Sequence, residues 1–150
     1  MIGKSIAFLA GKKYVVYTLF AAITLATLLL TLLPPDNLQN EKLFQYDKLG
    51  HFLMFFGWSF MFGFSLIING KKKSPLFLIF IAGTLFGLSI EFLQELLPYG
   101  RTASLHDAAA DAAGSFFAVL LLWWMKSRYK NHLSLSNGKN TIYRGNSLES

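Results

Sequence analysis

Five side chains that a lipid environment penalises stand inside otherwise apolar runs of this sequence: His51, Glu91, Gln94, Glu95 and Asp111. Their spacing is helical. Asp47 and His51 are four residues apart, as are Glu91 and Glu95, and Asp107 and Asp111, while Gln94 follows Glu91 by three. Residues three and four apart share one helix face. An ionisable group at membrane depth costs about 3 kcal/mol on insertion scales, so such groups turn toward protein or water. Histidine and carboxylates together offer acid–base chemistry or metal ligation. Two acids held close also need compensation, from a proton, from Lys48, Arg101 or His51, or from a bound cation.

The elements that must position these residues are four long apolar stretches. They run over about residues 14–33, 49–68, 76–97 and 107–125, each near the roughly 20 residues that cross a hydrocarbon core as a helix. Of the 150 residues, 53% are hydrophobic and 15% charged, against about a quarter charged in an average soluble domain. A water-soluble fold of this size has no interior large enough for four such blocks. The spacing predicts an all-α integral membrane bundle of four transmembrane helices, one domain over residues 1–130. Residues 131–150, rich in Asn, Ser and Gly, read as a polar, disordered tail. The first block resembles a secretory signal in its flanking lysines. It is too long for a typical signal core, and Leu32-Leu33-Pro34-Pro35 offers no small-residue cleavage site, so the reading favours a retained helix.

Lys and Arg set the orientation. Lys4, Lys12 and Lys13 precede the first helix, Lys71 to Lys73 separate the second from the third, and Lys126, Arg128 and Lys130 follow the fourth. These segments lie on one side for an even number of crossings, which places the N-terminus and C-terminus in the cytoplasm. The net charge of +6 thus belongs to membrane anchors rather than to a face that tracks nucleic acid. No cysteine is present, which excludes disulfides and thiolate metal sites.

With that topology the start of the second helix, the end of the third and the start of the fourth share the extracytoplasmic end. Glu91 lies roughly 9 Å inside the Leu97-Pro98 break, and Asp111 about as deep in the fourth helix. Asp47, Lys48, His51, Glu91, Gln94, Arg101, Asp107 and Asp111 are therefore expected to converge in one polar pocket, to which the first helix contributes nothing. Plainer roles exist for several of them. Asp47 and Asp107 suit helix caps, with Ser104 and Asp107 spaced as in a capping box. Lys48 and Arg101 suit interfacial anchors, Glu95 a solvated end, and Glu91 with Asp111 a polar pair joining helices. Gly83 and Gly87, and Ala110, Gly114 and Ala118, are spaced for close helix contact, so the third and fourth helices are expected to pack tightly together or against the second. Trp58, Trp123 and Trp124 read as interface and core packing.

Asp47-Lys48-x-x-His51, Glu91-x-x-Gln94, Arg101, and Asp107 followed by Asp111-x-x-Gly114, taken in this order, resemble the VanZ-like family of small bacterial membrane proteins. The resemblance spans about Asp47 to Ala118. It implies a multi-helix membrane protein, some of whose relatives lower susceptibility to glycopeptide antibiotics. The chain departs from the family pattern in three places. Asp111 stands where Asn is frequent, Ala118 where a glycine is frequent, and Phe55 where an aromatic hydroxyl is common.

Two functions fit these residues. In one, Lys48, Arg101 and His51 hold an anionic head group of a membrane lipid or lipid-linked cell-wall precursor, while Glu91 and Asp111 accept hydrogen bonds from its sugar or peptide. In the other, the protein is a membrane-embedded enzyme on a lipid-linked substrate. Glu91, Asp111 and His51 are then the catalytic candidates, and His51, Glu91, Asp107 and Asp111 the candidate ligands of a divalent cation. No nucleophile stands beside a base, and Ser104 and Ser115 are ordinary in context.

Overall fold

The computed structural model describes residues 13–32, 47–69, 75–98 and 103–146, with side-chain detail from residue 48 in the second segment and up to residue 128 in the last. Four helices account for nearly all of this: α1 (Lys13–Leu32), α2 (Asp47–Ile68), α3 (Leu76–Leu96) and α4 (Leu105–Asn146). Four helical stretches, Lys13–Leu32, Lys48–Ile68, Leu76–Leu96 and Leu105–Arg128, are long and apolar enough to cross a membrane. They agree with the expected blocks to within about two residues at most ends, as helix boundaries do. Beyond Arg128 the backbone of α4 continues helical to Asn146, where an irregular tail from residue 131 was expected. Adding a residue to an existing helix is far easier than nucleating one, so the span carries its own continuation.

Local chemistry sets the ends of α3. Pro75 sits at its N-cap, and Leu97 closes it in an extended conformation with ψ of 138°. Leu97 precedes Pro98, and the proline ring excludes the helical region for the residue before it. The Leu97 amide still donates to the Leu93 carbonyl at 3.1 Å. α4 opens on Ser104, whose Oγ accepts the Asp107 N–H at 3.3 Å. Ser104 thus fills the N-cap role of the expected capping box, while its own N–H goes to Glu91 and not to Asp107.

Neighbouring helices alternate in direction. Val16, near the start of α1, meets Phe64 and Ile68 at the end of α2, Ile79 at the start of α3 and Leu122 late in α4 in one apolar cluster. The opposite end of the bundle is polar. The outward faces carry Leu25, Leu53, Phe92, Leu120 and Trp123, all exposed on the protein surface, as lipid contact requires of a membrane bundle.

Close packing comes from small residues. A Cβ built on Gly114 would run into the backbone of Phe52 and Phe56, so α4 lies directly against α2. A Cβ on Gly87 would stand 2.8 Å from the Asp111 side chain, and one on Gly83 would collide with Ser59 and Ser115. The glycine steps of α3 therefore face α4 and α2. Trp58 stacks on Phe86 at 4.6 Å between ring centroids and donates its Nε1–H to Thr24 Oγ1 at 3.0 Å. It ties α2 to α3 and α1, whereas Trp123 and Trp124 stand exposed.

Candidate functional site

Three helices each deliver one ionisable side chain to the polar end. His51 comes from the first turns of α2, Glu91 from the last turns of α3, and Asp111 from the second turn of α4. They are 2%, 5% and 1% exposed, so these polar groups face the protein and not the surrounding medium. His51 Nδ1 lies 3.0 Å from Asp111 Oδ1 and 4.0 Å from Glu91 Oε1. With its proton on Nδ1, the imidazole donates to Asp111. One ligand-type atom from each of the three residues lies within 4.8 Å of the others. Glycine makes the closeness possible: at Gly87 the missing Cβ admits Asp111, and at Gly114 it admits the α2 backbone.

Glu91 has two distinct ends. Its Oε2 accepts the backbone N–H of Ser104 at 2.7 Å, and its Oε1 is buried without a hydrogen-bond partner among the described residues. Ser104 is the N-cap of α4, and in a capping box an acidic side chain three residues later accepts that N–H. Here α3 supplies the acid. Glu95, one turn on and exposed, accepts the Ala103 N–H at 2.7 Å in the same way. The two carboxylates of α3 therefore hold the entry of α4 and aim the remaining oxygen of Glu91 at His51. This second role of Glu91 and Glu95 is invisible in helical spacing, because the partner N–H groups belong to a loop.

The other expected members are placed differently. Gln94 is buried and donates its Nε2–H to the Thr31 carbonyl at 2.8 Å. The first helix was expected to contribute nothing to the polar pocket; this bond ties the α1 backbone to Gln94, while the three clustered ligand groups come from α2, α3 and α4. Asp107 is half-buried in the first turn of α4 and is not among the three clustered ligand groups. Lys48 is exposed at the start of α2. Arg101 and the Asp47 side chain lie outside the described residues.

One turn deeper, Ser59 Oγ donates to Ser115 Oγ at 2.9 Å with both residues buried. Sequence reasoning took Ser115 as ordinary. The available signal was position, since Ser115 follows Asp111 by four residues and Ser59 follows His51 by eight, which puts both on the faces that carry the site.

Four helices long and apolar enough to cross a membrane, with an imidazole and two carboxylates buried at one end of the bundle, define the class as a multi-pass membrane protein. The chain belongs to the VanZ/LLP1 family, whose model matches residues 5–126 and so takes in three spans whole, all but the last two residues of the fourth, and every member of the cluster. No curated protein and no solved structure matches the chain.

Proposed function

We propose that this VanZ-like protein sits in the bacterial inner membrane with both termini cytoplasmic. In this reading its polar end binds the head group of an envelope lipid or lipid-linked cell-wall precursor from the extracytoplasmic side. The observation that carries the reading is the burial of His51, Glu91 and Asp111 together at one end of three helices. Intramembrane ionisable residues ordinarily mark a ligand or ion path, beyond any part they take in joining helices. The lysine-rich segments at the opposite end support the orientation.

In this arrangement the carboxylates accept hydrogen bonds from sugar hydroxyls or peptide amides, and the cations Lys48 and Arg101 draw in the phosphate. Sequestering or reorienting such a head group would change how many drug targets the envelope exposes, which is how susceptibility to glycopeptides would be altered. The test is saturable binding of a polyprenyl phosphate, and separately of an anionic phospholipid, to the protein in nanodiscs of zwitterionic lipid. Binding weakened about tenfold or more in Arg101→Ala, as loss of a charge-assisted contact demands, supports the reading. Absence of saturable binding of either probe contradicts it.

The His51–Asp111 hydrogen bond favours one second reading, a membrane-embedded hydrolase or transferase. A carboxylate that orients an imidazole is the arrangement of a general base. Turnover of a lipid-linked substrate by the wild type, abolished in Asp111→Asn, would establish it in place of simple binding.

A further inference from the structure

We infer that His51, Glu91 and Asp111 form a site for one divalent transition-metal ion, with zinc or manganese best matched to one imidazole and two carboxylates. Three residues from three helices place a ligand atom each within 4.8 Å of one another. Bound to a zinc-sized ion, those atoms stand roughly 3–4 Å apart, so small side-chain rotations bring them into range. The His51 Nδ1–Asp111 Oδ1 separation of 3.0 Å already meets that spacing, and an ion bound there would replace the Nδ1 proton that otherwise bridges the pair.

Independent support comes from Glu91. Its Oε1 is buried, without a hydrogen-bond partner among the described residues, and it faces His51 Nδ1 at 4.0 Å. The other oxygen of the same carboxylate is fixed by the Ser104 N–H. Metal-ligating carboxylates are held in this manner, one oxygen anchored by a backbone donor and one directed at the ion. Charge points the same way. A divalent cation is one of the compensations that carboxylates held this close call for. Mixed nitrogen and oxygen ligands suit zinc or manganese better than a site built of oxygen alone suits magnesium or calcium. Three protein ligands leave a coordination position open, as catalytic and ligand-binding zinc sites do. The assignment does not depend on which head group the protein binds.

The experiment uses the full chain, purified through a tag free of histidine and placed in nanodiscs of zwitterionic lipid. The protein is stripped with chelator, reloaded with Zn2+ or Mn2+ alone, washed, and measured for retained metal by mass spectrometry. The expected result is about one equivalent of one of these ions in the wild type, with affinity lowered about tenfold or more in both His51→Gln and Asp111→Asn. Ser59→Ala, which leaves the three ligands in place, retains the wild-type amount. Helical circular dichroism establishes that each variant is folded. Retention of less than about a tenth of an equivalent of either ion by the folded wild type overturns the proposal, since one site binds one ion. It is equally overturned if folded His51→Gln and Asp111→Asn hold metal as tightly as the wild type.

Discussion

At the residue scale, Glu91 is the member of the cluster with two tasks. One oxygen closes the first turn of α4 through Ser104 N–H, and the other faces His51. Replacing Glu91 by Gln keeps one acceptor but removes the charge. A thermal melt should therefore show only a modest loss of stability, about 1 kcal/mol, in line with hydrogen bonds between membrane helices. A loss above about 4 kcal/mol would show that the charge itself holds the bundle together. Ser104→Ala removes the Oγ acceptor for Asp107 N–H and should cost about 1 kcal/mol. No change in its melt would mean that the Glu91 and Glu95 carboxylates cap α4 without help. His51, Glu91 and Asp111 were legible in the sequence because lipid makes any buried charge conspicuous. The Gln94–Thr31 bond was not, because its acceptor is a backbone carbonyl, a group that every residue carries alike.

At the element scale, the close approach of α2 and α4 depends on Gly114. Its neighbours are the Phe52 and Phe56 backbone, which cannot rotate away as a side chain can. Gly114→Val should cost about 2 kcal/mol or more, read as a lower melting temperature in detergent. Gly50 has nothing among the described residues within 4 Å of a built Cβ, so Gly50→Ala should stay within about 1 kcal/mol of the wild type. Equal effects at the two glycines would contradict the packing described. The four spans were readable in advance, because every backbone crossing lipid must close its own hydrogen bonds over a fixed length. The stop at Leu97 was readable as well, since Pro98 follows it. The choice of partners was not. Gly83, Gly87 and Gly114 announce close contacts, but spacing along one helix cannot say which other helix answers, and the largest share of contact fell to α2 with α4. The Ser59–Ser115 bond escaped for the same reason, each serine being unremarkable until the other is opposite.

At the scale of the whole molecule the bundle is divided into an apolar end around Phe64, Ile79 and Leu122 and a polar end around His51, Glu91 and Asp111. Single cysteines at Gln39 and Tyr99 test the proposed orientation, because the native chain has none. Both are expected to react with an impermeant reagent added from the extracytoplasmic side, and reaction from the cytoplasmic side alone would reverse it. The most direct measurement of the central claim is head-group binding by the double variant His51→Gln, Asp111→Asn, made alongside its thermal melt. If the buried cluster is a binding site, the variant melts within about 2 kcal/mol of the wild type while binding of the polyprenyl phosphate or anionic phospholipid falls about tenfold or more. A variant that is clearly less stable yet binds as tightly as the wild type would show that the three residues only join helices.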